Sequence, residues 1–232
     1  MVVQMFKDYR ETDLVNSLKI IGVRPLDVMV TGVTGAGKST TLNSIFNKEI
    51  AKVGRGVDPE TMGLTSYSLN DFFRLWDTPG LGDGVEKDRE HAKKIIELLY
   101  KDYLVDERKY GFIDVVLVII EGSNRDMGTN YKLLNEIIIP NFQKDRIIIA
   151  VNQADMAMKG RHWDHNNNKP KEKLKEFLES QVISIQKRVK EATGVDIIKP
   201  IYYSAECGYN VSALLDLLID NTPNKKRNLS IN

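Results

Sequence analysis

The stretch Leu26-Asp27-Val28-Met29-Val30-Thr31-Gly32-Val33-Thr34-Gly35-Ala36-Gly37-Lys38-Ser39-Thr40 decides the fold. Its first half is apolar and β-prone, its middle is a glycine turn, and from Lys38 to about Phe46 the pattern turns helical. Gly32 to Ser39 satisfies G-x-x-x-x-G-K-[ST] without a mismatch. Glycines there let successive backbone N–H groups curl round an oligophosphate, and the following helix points its positive end at the same charge. Thr34, Gly35, Ala36, Gly37, Lys38, Ser39 and Thr40 are therefore the candidate phosphate cradle. Lys38 would reach the β- and γ-phosphates, and the Ser39 hydroxyl would ligate Mg²⁺.

Outward from this turn, strands and helices alternate. Leu64 to Asn70 and Phe72 to Trp76 read as a hairpin around Asn70-Asp71. Ala92, Ile95, Ile96, Leu99 and Tyr103 mark one face of a helix, and Ile113 to Glu121 and Arg146 to Val151 are apolar enough to be buried on both faces. A helix from Asn130 to Ile139 stops at Pro140. Met158 to Pro170 reads as an exposed polar loop, Lys171 to Ala192 as a long helix, Ile201 to Tyr203 as the last strand and Val211 to Ile219 as the last helix. This is one α/β domain built of βαβ units. Its expected limits are an N-terminal amphipathic helix over 1–24, carrying Phe6, Leu14, Leu18 and Ile21, a central domain over 25–222 and a flexible tail over 223–232.

The 33 Lys and Arg nearly cancel the 32 Asp and Glu, so no global field draws in nucleic acid or an anionic membrane. One cysteine, Cys207, forms no internal disulfide, and no apolar run is long enough to span a bilayer. A cytoplasmic protein without a transmembrane segment or a strong nucleic-acid signal is expected.

Three further stretches fall at the carboxyl ends of strands, where doubly wound sheets hold their ligands. They are Asp77-Thr78-Pro79-Gly80, Asn152-Gln153-Ala154-Asp155 and Ser204-Ala205. The ordered set GVTGAGKS, DTPG, NQAD and SA resembles the G1, G3, G4 and G5 motifs of the translation-factor-related small GTPases. Its nearest likeness is to the Era-like bacterial GTPases, and septins and immunity-associated GTPases share the DTPGLGD-type loop. The resemblance covers Leu26 to about Ile219. It implies a three-layer P-loop G domain with a six-stranded, mostly parallel sheet, and a switch that hydrolyses GTP to GDP and phosphate with Mg²⁺.

Carried over by position, Asp155 would accept from guanine N1–H and its 2-amino group, two donors that adenine lacks. Asn152 would hold the loop and contact the base, Gln153 and Ser204 would complete the pocket, and the Ala205 N–H would meet the guanine 6-oxygen. Asp77 would hold Mg²⁺ through water, and the Gly80 N–H would meet the γ-phosphate. A threonine before the hairpin would ligate Mg²⁺ and read the γ-phosphate. Thr61 is preferred because it leaves 64–70 free to pair, and Thr65 is the alternative. Catalysis would then rest on Lys38, Thr61 and Gly80, with Ser39, Thr61 and Asp77 around the metal.

Three departures from the family pattern matter. Gln153 stands where the family usually has Lys. Leu81 follows Gly80 where many relatives have a water-orienting Gln. Gly35 stands where potassium-activated relatives carry Asn. Intrinsic turnover of about 10⁻⁴ to 10⁻² s⁻¹ is expected, discharged by a protein effector or a homodimer of the GTP state. Arg55 is either an internal arginine finger or an ordinary loop residue. A nucleotide-loaded scaffold with negligible hydrolysis is the alternative function, and an ATP-using enzyme a third. His162, Asp164 and His165 read as loop residues rather than metal ligands, and the lysines of 169–190 as a solvated helix face.

Overall fold

A computed structural model describes residues 6–22, 24–46, 65–123 and 127–229. The chain runs α1 (Glu11–Ile21), β1 (Leu26–Gly32), α2 (Lys38–Phe46), β2 (Thr65–Asn70), β3 (Phe73–Asp77), α3 (Val85–Tyr100), β4 (Asp102–Val105) and β5 (Arg108–Gly111). It continues through β6 (Val115–Glu121), α4 (Gly128–Lys132), β7 (Ile147–Asn152), β8 (Trp163–Asp164), β9 (Lys169–Pro170), α5 (Glu172–Thr193), β10 (Ile201–Tyr202) and α6 (Val211–Asp220).

Six strands form one sheet in the order β10-β7-β6-β1-β3-β2. All neighbours are parallel except β2, which returns antiparallel beside β3 with Thr65 opposite Asp77. β1 is buried along its whole length, while edge strand β2 buries only Ser66 and Leu69. That contrast follows from helices covering both faces of the centre. Alternate residues of each strand feed opposite cores. Val28 and Val30 pack with Leu14, Leu18, Leu42 and Leu215 on the side of α1, α2 and α6. Met29, Val116 and Val118 pack with Ile95, Leu99, Leu134 and Ile185 on the side of α3, α4 and α5.

The N-terminal helix belongs to this body. Phe6, Leu14, Leu18 and Ile21 are buried against the first core, and Arg10 bridges to Asp216 and Asp220 of α6.

Four expectations need correction. Tyr103 lies on β4 rather than on α3, because α3 ends at Tyr100 and the chain turns into a two-stranded hairpin, β4–β5. The helix expected over 130–139 is α-helical only to Lys132 and continues as a π-helix over Leu133–Ile138, with Leu133, Leu134, Ile137 and Ile138 buried. The loop 158–170 contains a small hairpin, β8–β9, pinned by the buried Trp163 packed edge-on against Tyr209. The tail is docked rather than flexible through Arg227. The Gly111 N–H donates to the Arg227 carbonyl at 2.7 Å, and the Arg227 guanidinium donates to the carbonyls of Ile113 and Leu99.

Candidate functional site

The turn between β1 and α2 places the cradle at the carboxyl edge of the sheet. Gly37 has a φ of +85°, and a Cβ there would run into the Asn152 side-chain amide. That close approach lets the end of β7 brace the cradle: Asn152 Nδ2 donates to the Ala36 carbonyl at 3.0 Å. Its Oδ1 accepts from the Ala205 N–H, also at 3.0 Å, so one side chain ties the phosphate turn to the strand end that carries Ser204 and Ala205. Gln153 adds a second tie, from Nε2 to the Gly35 carbonyl at 2.7 Å. An amide thus reaches the cradle where a lysine was expected, and it does so without bringing a charge.

Lys38 is buried and its Nζ donates to the carbonyls of Gly32 and Val33, both at 3.1 Å. Burial lowers its pKa, and Asp77 and Asp83 offset part of that. Asp77 closes β3 with its Oδ1 buried and unpartnered, and burial raises its pKa against the opposing pull of Lys38. Thr78 locks the loop that follows, its hydroxyl donating to the Val30 carbonyl at 2.9 Å. Gly80 then passes so close to the cradle that a Cβ would stand 2.6 Å from Lys38 Nζ and 2.7 Å from Thr34 Oγ1. The same Cβ would lie 2.8 Å from the Thr34 backbone nitrogen, so a larger residue would force the backbone to shift. A cavity of about 630 Å³ opens between these pieces, lined by Thr34, Lys38, Ser39, Thr40, Thr65 and Asp77 among others.

Asp155, Ser204 and Ala205 follow the ends of β7 and β10, and Asn152 ties that region to the cradle. The Ala154 N–H donates to the Tyr203 carbonyl at 3.0 Å, and the Ser204 hydroxyl accepts from the Cys207 N–H at 3.1 Å. Asp155 Oδ1 is buried without a hydrogen-bond partner. An orphaned carboxylate oxygen is costly, and it suits a ligand that brings donors to it. The oxygen donors of Ser39, Thr65 and Asp77 around one cavity likewise suit a hard cation such as Mg²⁺.

Thr61 and Arg55 lie outside the described residues; Thr65 is exposed at the head of β2 and lines the cavity. Leu81 is 2% exposed and packed in the core on the α3 side. Sequence reasoning missed His91 and Lys94, which line the same cavity from α3. The signal was there: position 91 continues the inward stripe of Ile95 and Leu98 at helical spacing. Asp164 accepts from the N–H groups of Asn166 and Asn167 to shape the β8–β9 turn, and no cluster of three or more metal-ligating His, Cys, Asp or Glu occurs among the described residues. Within α5 Lys187 pairs with Glu191, and Lys190 pairs with Asp196 just beyond the helix.

Comparison with known proteins gives concordant matches. The pattern of the 50S ribosome-binding GTPase family fits residues 27–153. Interferon-gamma-inducible GTPase 10 of Mus musculus is 25% identical over 217 residues, covering 89% of this chain and 46% of its own length. The probable GTP-binding protein EngB of Streptococcus thermophilus is 25% identical over 150 residues, covering 64% of this chain and 70% of its own. This chain spans less than half the length of the first two curated relatives it matches, 46% and 41%. Among solved structures, Toc33 from Arabidopsis thaliana in complex with Mg²⁺ and GMPPNP superposes with a TM-score of 0.62 at 16% identity, over 98% of both chains. Era from Aquifex aeolicus bound to GDP.AlF4- gives 0.53 at 15% identity, over 87% of this chain and 58% of that one. At such identities the structural likeness speaks for the G-domain fold. Among the described residues, no helix is long and apolar enough to cross a membrane.

Proposed function

The chain belongs to the 50S ribosome-binding GTPase family, and on that premise we propose that it is a molecular switch that binds GTP and hydrolyses it to GDP and phosphate with Mg²⁺. The single observation that carries the guanine assignment is the buried, unpartnered Asp155 Oδ1 at the end of β7. Guanine presents N1–H and a 2-amino group to such a carboxylate, whereas adenine would leave it buried and unpaired, and mismatches of that kind discriminate strongly.

In this reading the amides of Thr34 to Ser39 and the Lys38 ammonium hold the β,γ-phosphates, and Lys38 exchanges its contacts with Gly32 and Val33 for phosphate oxygens. Ser39 and Asp77 hold Mg²⁺, together with Thr61 or Thr65. The metal supplies charge neutralisation across the β- and γ-phosphate oxygens. The Gly80 N–H meets the γ-phosphate, so its loss releases the 77–84 loop, and that release is what an effector or a second copy of the chain reads. Asn152, Gln153, Ser204 and Ala205 hold the base pocket in register with the cradle. The DTPGLGD loop over 77–83 supports an Era-like place within the family. The single Cys207 and the absence of a membrane-spanning helix among the described residues support a cytoplasmic home.

Calorimetric titration with GDP and ADP tests the assignment. GDP is expected to bind at least about 100-fold tighter, and equal affinity would overturn it. A second reading, a nucleotide-loaded scaffold, is favoured by the burial of Leu81, which leaves position 81 unable to orient water. Single-turnover hydrolysis at low and high protein concentration separates the two, since a scaffold stays at the buffer rate in both.

A further inference from the structure

Hydrolysis needs a group that holds the attacking water against the γ-phosphate, and position 81 does not supply one. The Leu81 side chain is turned into the core with Ile95, and on the cradle side it offers only a backbone carbonyl, accepting from the Thr34 N–H at 2.7 Å. We propose that His91, on the second turn of α3, is the catalytic residue that takes this role. The inference rests on the GTPase reading above and deepens it.

The argument starts from one hydrogen bond. His91 Nδ1 lies 2.6 Å from the Gly80 carbonyl oxygen. A carbonyl only accepts, so Nδ1 carries the hydrogen. In the neutral ring, Nε2 then presents a lone pair, the tautomer that accepts a proton from water. Gly80 is the residue stacked over Lys38 Nζ and Thr34, so the bond anchors the imidazole to the element that meets the γ-phosphate. The ring borders the same cavity as Lys38, Ser39 and Asp77. Lys94, three residues further along α3, lines that cavity too and has no ion-pair partner among the described residues, leaving its charge available to the developing negative charge.

The step balances without a further reactant. The water oxygen bonds to the γ-phosphorus as its proton passes to His91 Nε2. The bond from the γ-phosphorus to the β,γ-bridging oxygen breaks, and its electron pair stays on the departing GDP. The imidazolium then returns its proton to phosphate or solvent. Accepting a proton in this way is worth typically 10²–10⁴-fold in rate. The same device explains why an aliphatic residue is tolerated at 81: the donor and acceptor pair has moved from the loop to the helix that follows it.

The full-length protein tests this with single-turnover GTP hydrolysis in Mg²⁺, alongside GDP and GMPPNP affinities. His91→Ala is expected to slow hydrolysis by roughly 100-fold and to leave both affinities within about two-fold. His91→Gln keeps an N–H for Gly80, but its amide oxygen does not take up a proton, so it is expected to be slowed nearly as much as His91→Ala. An unchanged rate in His91→Ala overturns the proposal. So does a loss of affinity in step with the rate, the mark of a purely structural contact, and so does a His91→Gln variant that keeps the unmodified rate. An unmodified chain that binds guanine nucleotide but never exceeds the buffer rate overturns the hydrolysis reading itself, which is a different failure.

Discussion

The two ends of the parallel sheet treat their aspartates in opposite ways. At the amino end, Asp27 is fully buried and its carboxylate accepts from Arg24, from both Nε and Nη2 of Arg74, and from the Trp76 indole at 2.7 Å. Beside it, Asp114 accepts from Arg24 at 2.6 Å and from the Asp27 N–H at 3.0 Å. Arg24 in turn stacks over the Tyr103 ring, 4.3 Å from its centroid. At the carboxyl end, Asp77 and Asp155 are just as enclosed at Oδ1, yet neither oxygen has a partner. A saturated carboxylate contributes to the free protein, whereas an orphaned one costs the free protein stability and repays it when a ligand arrives. Saturated carboxylates therefore mark the amino end of the sheet, and carboxylates with one unpartnered oxygen mark the end that carries the candidate site.

The contrast breaks first at Asp27. Removing one partner of a buried ion network leaves the others uncompensated, so Asp27→Ala is expected to cost about 3–5 kcal/mol, read as a fall of roughly 10 °C in thermal midpoint. The nucleotide affinity of the folded fraction is expected to be unchanged. Asp155→Ala should show the reverse pattern. Its apo midpoint stays or rises because an orphan is removed, while GDP affinity falls by about 3 kcal/mol, roughly 100-fold, for the loss of two charge-assisted hydrogen bonds. Thermal melts and GDP titration on the two variants form a crossed pair. If Asp155→Ala melted lower and kept its affinity, the two ends would not differ in the way described.

Arg227 sharpens the same comparison from the tail. It is 1% exposed, and burial, followed by the nearby Arg146, pushes its pKa down to about 10. It holds its place through backbone carbonyls and the face of Phe142, 4.7 Å from the ring centroid, and Arg146 beside it donates to the Lys225 carbonyl. Arg227→Ala strands the Leu99 and Ile113 carbonyls and is expected to cost about 2 kcal/mol. The effect should appear in the melt and in proteolysis of the segment after Thr222, with GDP affinity unmoved.

What could be read from the sequence follows the same division. The candidate site was legible because phosphate and guanine recognition would demand particular residue types at particular strand ends, so Gly37, Lys38, Asp77, Asn152 and Asp155 stand out locally as candidates, and the structure brings Gly37, Lys38, Asp77 and Asn152 together. The amino end of the sheet was not. Asp27 and Arg74 are 47 positions apart, and Arg227 reaches Ile113 across 114. Nothing in Lys225-Lys226-Arg227 distinguishes a buried cation from two solvated neighbours. Tyr103 stands four residues after Leu99, a helical interval, and only the hairpin pairing of Asp102–Val105 with Arg108–Gly111 overrides that period. His91 was passed over because Asp88, Arg89, Glu90 and Lys93 around it give α3 the look of a solvated surface.

The smallest expected effect concerns position 81, where the two regimes meet within one residue. The Leu81 backbone serves the candidate site through its carbonyl bond to Thr34, while its side chain serves the core. Leu81→Gln restores the residue that many relatives use to orient water, and a reading based on alignment alone would expect faster hydrolysis. The packing predicts otherwise. The side chain is directed into the apolar layer beneath α3, so the new amide would have to leave that layer and open a void beside Ile95, or stay and lose its hydrogen bonds to water. Hydrolysis is therefore expected to change by less than about two-fold, within the scatter of a peripheral substitution, while the thermal midpoint falls. A rate rising ten-fold or more in a single-turnover assay would show that the 77–84 loop turns this side chain outward when nucleotide binds. It would also move the water-holding function back from α3 to the loop.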